Sequence, residues 1–279
     1  AIDLSAQGLQ QAFPQAQPHL VVFVHGLCCN EDAWWFYHKS DDPLTLPYGV
    51  KLAHAFHISP LYLRYNTGLS VQSNGRNLKR LIKRAVANWP VPVQSITLVG
   101  HSMGGLVSRQ MVESLGADDQ DLIALLKDVV SLGTPHAGAP LARLAGAGEQ
   151  LLDKLELTKP LGKVLGVRST GIRDLQTGLG PLQTQDGHSV GFHFMGSTMA
   201  DSTGSWLNET FGDGLVQMSS ALADESGKAQ RLAFAAKHHM NLLNDADIYV
   251  QLEAVIRQHI KPKLPPKPQI EGNDLPRLG

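Results

Sequence analysis

Short apolar runs that alternate with helical patterns are the feature that most constrains the fold of this 279-residue chain. "HLVVFVHGL" (His19–Leu27) is apolar without alternation, which is typical of a strand covered on both faces in a parallel sheet. Five further runs predict strands at Ser59–Asn66, Ser95–Gly100, Asp128–Pro135, Val190–Ser197 and Gln230–Ala236. The chain therefore predicts an α/β fold with a mostly parallel sheet, whose ligands bind at the carboxyl ends of the strands.

Helical spacing of apolar residues predicts helices between the strands, from Leu78 to Trp89, from Met103 to near Gly116, and from about Ala246. Residues 140–181 do not fit the alternation. They follow the fourth predicted strand and predict an inserted helical cap. We expect one domain over residues 1–261, including this cap. Residues 262–279 are rich in proline and predict an extended or disordered tail.

Composition excludes several classes of function. A formal net charge of −1 gives no electrostatic footprint for nucleic acid or for an anionic membrane. No apolar run approaches the roughly 18 residues that a transmembrane helix needs. Cys28 and Cys29 are adjacent, so the sequence predicts neither a disulfide framework nor a metal-binding spacing. Residues 1–19 show no signal peptide, which favours a cytoplasmic location over a processed secreted form. The oligomeric state is left open.

The stretch "SITLVGHSMGGLVSRQM" (Ser95–Met111) places Ser102 where a predicted strand ends and a helix starts. It matches the G-x-S-x-G pattern, in which glycines relieve crowding at a sharp turn and the serine hydroxyl is exposed to substrate. A serine is a weak nucleophile that needs an adjacent base. The helix that follows offers free backbone N–H groups, so the Met103 N–H is a candidate for binding an oxyanion.

In chains with such a serine turn, an acid and then a histidine follow along the sequence. Asp213, between two glycines, is the strongest candidate acid. The candidate base is His238 or His239, and we favour His239. His136 precedes the acid, which disagrees with the expected order. A second oxyanion donor is expected after the first strand, where His25-Gly26 leads to the Leu27 N–H, and His25 itself is interpreted as structural.

The segments "VHGL", "GHSMGGLV", "GTPHAG", "GDGLV" and "HHMNLL" together resemble the α/β-hydrolases. More narrowly, they resemble bacterial lipases and esterases and the PGAP1-like (GPI inositol-deacylase-like) group. The resemblance implies an α/β-hydrolase fold and an esterase or lipase without a cofactor. It also implies that Ser102 is the nucleophile, Asp213 the orienting acid and His239 the general base, with Leu27 and Met103 forming the oxyanion hole. The expected partner is a small-molecule or lipid ester, with transient contact to a lipid surface.

This chain departs from that pattern at the calcium site. Secreted lipases of this resemblance often have a carboxylate two positions after the catalytic histidine, where this chain has Asn241. Asp245 and Asp247 follow, but no metal site is predicted. Trp34 and Trp35 are interpreted as walls of an apolar substrate pocket.

Three activities stay open on the sequence alone. The preferred one is ester hydrolysis through an acyl-enzyme. The same residues would also serve an acyltransferase, a thioesterase or an amidase. A third interpretation is a hydrolase fold that serves as a binding module without catalysis, although such a module would not need to retain Ser102, Asp213 and His239.

Overall fold

A single six-stranded parallel sheet organises the chain in the computed structural model, which describes residues 2–139, 169–183, 189–199, 213–214, 216–224 and 226–263. The strands lie in the order β2-β1-β3-β4-β5-β6. Their bounds are β1 His19–Val24, β2 Ile58–Leu63, β3 Ser95–His101, β4 Leu126–Leu132, β5 Gly191–Ser197 and β6 Ala229–Phe234. All six predicted strands are present, with ends that differ by a few residues, and the predicted α/β class is confirmed.

Helices cover both faces of this sheet. They are α1 Ala6–Ala12, α2 Tyr48–Ala55, α3 Val71–Ala87, α4 Met103–Glu113, α5 Gln120–Leu125, α6 Thr170–Thr177, α7 Met218–Ala221 and α8 Ala246–Arg257. Short 3-10 helices occupy Glu31–Trp35, Pro43–Thr45, Ala117–Asp119 and His239–Leu243. Successive residues of a strand point to opposite faces, so Val22 and Val24 of β1 pack in a core cluster with α3 and α4. Val21 and Phe23 pack in a second cluster with α2 and α8.

The helix predicted from Leu78 begins earlier, at Val71. Its first turn is held by two side-chain acceptors. The Ser70 hydroxyl oxygen accepts from the Ser73 N–H, and the Asp174 carboxylate on α6 accepts from the Val71 N–H at 2.7 Å. Such capping supplies partners for N–H groups that have none within the helix. The helix can therefore begin before Leu78, where the apolar pattern of the sequence starts.

Backbone packing without space for side chains sets the position of α4 over the sheet. A Cβ atom on Gly104 would lie 2.0 Å from the Val24 carbonyl oxygen, and one on Gly100 would lie 2.4 Å from the Gly105 nitrogen. Both distances are far below van der Waals contact. The first turn of α4 therefore rests directly on the carboxyl ends of β1 and β3.

The predicted cap, residues 140–181, falls largely on residues 140–168, which lie outside the described residues. Its remaining part contains α6. The Ala139 N–H donates to the Leu175 carbonyl at 2.9 Å, so a residue shortly after β4 lies beside α6. The buried Arg109 of α4 donates to the carbonyls of Gly180 and Pro181, which fixes the segment after α6.

Only the first residues of the predicted tail are described. The Lys263 N–H donates to the Ala55 carbonyl at 2.8 Å, and Pro262 forms an isolated bridge with Phe56. In the part of the chain that the structure describes, every helix is too short or too polar to cross a membrane.

Gly104→Ala tests the close contact of α4 with β1. The added methyl group would collide with a backbone carbonyl, and overpacking of this kind costs typically about 1–3 kcal/mol of unfolding free energy. We expect a clear loss of stability in urea denaturation. Gly116→Ala is the matched control, because no atom lies within 4 Å of its added Cβ. Equal stability of the two variants would contradict the contact.

Candidate active site

Ser102 occupies a strained turn between β3 and α4. Its φ is 54° and its ψ is −122°, a backbone conformation that residues other than glycine rarely adopt. Hydrogen bonds hold the turn in place, from the Ser102 N–H to the Leu132 carbonyl at 2.9 Å and from the Gly105 N–H to the Ser102 carbonyl at 3.0 Å. Strain of about 1–3 kcal/mol persists where the surroundings enforce it, and it is concentrated at functional sites.

Asp213 and His239 form a buried pair. His239 Nδ1 donates to Asp213 Oδ2 at 2.7 Å, and the His239 N–H donates to the Asp213 carbonyl at 2.9 Å. The other carboxylate oxygen, Oδ1, accepts from the Val216 N–H at 2.7 Å. In a neutral imidazole only one ring nitrogen carries a proton, and donation from Nδ1 leaves Nε2 as a hydrogen-bond acceptor. Nε2 is buried and makes no hydrogen bond with the described residues.

Ser102 follows β3, Asp213 follows β5 and His239 follows β6, so all three lie beyond the carboxyl ends of parallel strands. Gly133 follows β4 with a φ of 57°, and a Cβ on it would lie 3.0 Å from both Asp213 Oδ2 and His239 Nδ1. His101, next to Ser102, places its ring 4.6 Å from the ring of His239 and donates from Nε2 to the His239 carbonyl at 3.1 Å. Gly133 and His101 therefore leave little space beside the pair.

The two candidate oxyanion donors flank Ser102. Met103 is the first residue of α4, a position where the helix leaves the N–H without an intrahelical partner. Leu27 follows Gly26 in the turn after β1. A Cβ on Gly26 would lie 3.1 Å from the Ser102 Cβ, so this turn contacts the serine directly. The carboxyl ends of β1, β3 and β4 therefore contribute Gly26, Ser102 and Gly133 to one site.

Comparison with known families agrees with this architecture. The family described as "Putative serine esterase (DUF676)" matches residues 14–176, which is more than half of the chain. The chain belongs to this family. No curated protein matches its sequence.

The solved structures similar to this chain include a lipase, an esterase and a thioesterase. The mature lipase BlEst2 of Bacillus licheniformis is 18% identical over 88% of this chain and 92% of its own, with a TM-score of 0.55. An esterase of Pyrococcus furiosus is 13% identical over 87% of this chain and 82% of its own, with a TM-score of 0.52. The RedJ thioesterase of Streptomyces coelicolor is 13% identical over 87% of both chains, with a TM-score of 0.50. At these identities the likeness establishes the fold, which is that of an α/β-hydrolase.

The interpretation of Trp34 as a pocket wall needs correction. Trp34 is 1% exposed and packs edge-on against Phe23 at 5.0 Å between ring centroids, within the core. Its side chain is therefore not accessible to a substrate. Trp35 is 40% exposed and packs against Tyr62 at 4.5 Å. Two adjacent tryptophans in a 3-10 helix point in different directions, and the sequence does not indicate which one faces the core.

The other candidate histidines occupy different environments. His238, the alternative base, is exposed, whereas the buried His239 contacts Asp213. His136 is buried, stacks on Phe194 at 3.7 Å, and neither ring nitrogen has a hydrogen-bond partner among the described residues. Burial lowers the pKa of His136 and of His101 well below the usual value. His101 was missed as a site residue, because the pattern G-x-S-x-G assigns no contact to its second position.

The side chains of Asn241, Asp245 and Asp247 make hydrogen bonds or ion pairs with other residues of the chain. The Asn241 side-chain oxygen accepts from the His238 N–H at 3.1 Å, and Asp245 and Asp247 both pair with the Lys237 ammonium. The described residues contain no cluster of three or more histidine, cysteine or acidic side chains that could hold a metal ion. Burial raises the pKa of Cys29 to about 12, so this thiol is protonated at neutral pH.

Burial of His136 predicts a pH-dependent stability. In the unfolded chain an imidazole has a pKa of about 6.5, whereas burial and then the charge of Arg109 keep the folded pKa far lower. Below about pH 6.5 the unfolded state binds a proton that the folded state does not. The free energy of unfolding therefore falls with pH, by up to about 1.4 kcal/mol per pH unit for this group.

His136→Phe should flatten this dependence. Phenylalanine retains the stack on Phe194 but cannot take up a proton. Urea denaturation from pH 8 to pH 5 measures the effect, and the difference at pH 8 gives the change in packing alone. We expect the variant to lose less stability than the wild type below pH 6.5. Parallel curves would contradict the prediction.

Proposed function

We propose that this chain hydrolyses carboxylic esters through an acyl-enzyme formed on Ser102. The observation that carries the proposal is the buried 2.7 Å contact of His239 Nδ1 with Asp213 Oδ2, beside the strained serine turn. This contact leaves Nε2 of a neutral histidine as an unprotonated acceptor. A base in this state is what a serine hydroxyl needs to become a nucleophile.

In the first half of the proposed reaction, Ser102 Oγ attacks the ester carbonyl and its proton passes to His239 Nε2. Hydrogen bonds between nucleophile and base often form only when substrate is bound, so the free Nε2 suits this step. The Asp213 carboxylate stabilises the resulting imidazolium and keeps the ring oriented. The N–H groups of Leu27 and Met103 bind the oxyanion of the tetrahedral intermediate.

In the second half, the imidazolium of His239 protonates the departing alcohol, and the acyl group stays on Ser102. Water then enters, and His239 accepts its proton as the oxygen attacks the acyl carbonyl. A second tetrahedral intermediate forms, again with its oxyanion at Leu27 and Met103. Its collapse returns the proton to Ser102 Oγ and releases the carboxylic acid.

Apolar side chains around the serine turn support an acyl chain as the bound group. A Cβ on Gly171 of α6 would lie 3.0 Å from the Met103 Cε, so α6 packs against the side chain of Met103. Leu69 and Met199 are exposed, and the Met199 sulfur lies 3.3 Å from the Cβ position of Gly214, next to Asp213. We infer that the substrate is a small-molecule or lipid ester, and that residues 140–181 form a cap over the acyl chain.

Ser102→Ala tests the proposal. The variant retains the fold but lacks the nucleophile, so kcat on p-nitrophenyl esters should fall by about 10⁴- to 10⁶-fold. Ser108→Ala is the matched control. Ser108 is buried on α4 and donates to the Gly104 carbonyl at 2.8 Å, without a role in the proposed chemistry. We expect near wild-type turnover from it.

Labelling by a fluorophosphonate probe gives a second readout, because the probe reacts with an activated serine. The wild type and Ser108→Ala should be labelled and Ser102→Ala should not. A series of esters with increasing chain length then separates an esterase from a lipase. A wild type that neither cleaves any ester nor reacts with the probe would overturn the proposal in favour of a binding module.

A further inference from the structure

The orientation of the Gly26–Leu27 peptide group sets the direction of the Leu27 N–H, the proposed oxyanion donor. The carbonyl of Gly26 and the N–H of Leu27 belong to the same planar trans peptide, so they point in opposite directions. Any hydrogen bond to the Gly26 oxygen therefore also fixes the Leu27 N–H. This oxygen accepts from His25 Nδ1 at 3.0 Å and from the Cys29 N–H at 3.3 Å.

Tyr65, two residues after β2, holds His25 from two sides. Its hydroxyl donates to the His25 carbonyl at 2.7 Å. Its ring stacks on the His25 ring, with centroids 4.4 Å apart and planes inclined by 26°. Burial raises the pKa of Tyr65 well above its usual value, so the phenol remains a donor. Burial also lowers the pKa of His25, so the imidazole stays neutral near pH 7.

The far side of the same turn is tied to Thr67. The Cys28 N–H donates to Thr67 Oγ1 at 3.3 Å. Cys28 has a φ of 58°, which is strained for a residue other than glycine and needs support from its neighbours. Residues 65–67 thus contact the turn both before and after Leu27.

The segment that carries Tyr65 is itself anchored. The Asn74 side-chain amide donates to the Asn66 carbonyl at 3.0 Å, and Asn74 lies in the first turns of α3. On the other side, a Cβ on Gly171 would lie 2.4 Å from the Thr67 carbonyl oxygen, so α6 packs closely against it. A hydroxyl on an anchored segment can restrict the motion of a turn, whereas one on a free loop would follow it.

We propose that Tyr65 is a positioning residue for the oxyanion hole, which orients the Gly26–Leu27 peptide through His25. The inference rests on the proposed ester hydrolysis at Ser102. Tyr65 does not touch the reacting atoms. It acts by holding the Leu27 N–H in the direction of the developing charge, and a donor fixed in advance needs no reorganisation in the transition state.

Tyr65→Phe removes the hydroxyl and keeps the stacked ring. Loss of an oxyanion donor costs about 100- to 1,000-fold in kcat, so a donor that is only less well oriented should cost about 10-fold. KM should change by less than about 2-fold, since the ground-state carbonyl depends little on the hole. A trifluoromethyl ketone, which forms a tetrahedral oxyanion on Ser102, should bind about 10-fold more weakly. The corresponding secondary alcohol, which forms no oxyanion, should bind as it does to the wild type.

Tyr62→Phe is the matched control. Tyr62 lies in β2 and stacks on Phe23 at 5.1 Å, and its buried hydroxyl makes no hydrogen bond with the described residues. The same chemical change there should leave kcat and both inhibition constants at wild-type values. Thermal unfolding of both variants is measured alongside.

The outcomes separate the two proposals. If the wild type is active and Tyr65→Phe matches Tyr62→Phe in kcat and ketone affinity, the positioning role is wrong and the proposed function stands. If the ketone and the alcohol weaken equally, Tyr65 serves the structure in general, and the inference is again wrong. A wild type that fails to hydrolyse esters and to react with the fluorophosphonate overturns both proposals.

A second pair of variants carries the test if Tyr65→Phe does not fold. Thr67→Val removes the acceptor for the Cys28 N–H at nearly constant volume, and Thr67→Ser restores it. We expect the valine variant to lose kcat and ketone affinity by the same factor, smaller than for Tyr65→Phe, and the serine variant to recover both. Equal values for the two variants would overturn the role of this segment.

Discussion

Backbone contact between the first turn of α4 and the carboxyl ends of β1 and β3 is the constraint on which the rest of the site depends. Gly104 lies so close to the Val24 carbonyl that no side chain fits between them. The chain must therefore reverse direction within one residue, and Ser102 takes a positive φ to do so. Gly26 is brought against the same serine by this approach. One steric requirement thus sets the proposed nucleophile, the helix N-terminus and the proposed oxyanion turn together.

Environment distinguishes His239 from three other buried histidines. His25, His101 and His136 are buried, and desolvation lowers the pKa of each, so they remain neutral. His239 differs from these three because a carboxylate, Asp213, contacts its Nδ1. In the proposed mechanism these three imidazoles do not compete with His239 for the serine proton, since a base needs a partner that stabilises its charged form.

Short-range sequence patterns predicted the elements whose formation depends on residues close together in the chain. The six strands follow from continuous apolar runs, and the Ser102 turn follows from glycines that no side chain could replace. Parts that depend on distant contacts were not predictable. The start of α3 at Val71 depends on an acceptor from α6, and the burial of Trp34 rather than its neighbour depends on Phe23. Tyr65 meets His25 only because β2 lies beside β1.

The hydrogen bond between Ala139 and Leu175 has an evolutionary consequence. It joins a residue shortly after the end of β4 to a residue of α6, so the two ends of the intervening chain are held together. Closing a loop costs only about 0.6 kcal/mol more for each doubling of its length. Changes of length within residues 140–168 therefore cost little free energy of closure, whereas Gly171 and Asp174 of α6 contact Thr67 and Val71 and are tied to the framework. Selection on the length and composition of this one stretch of chain is thus separate from selection on the fold.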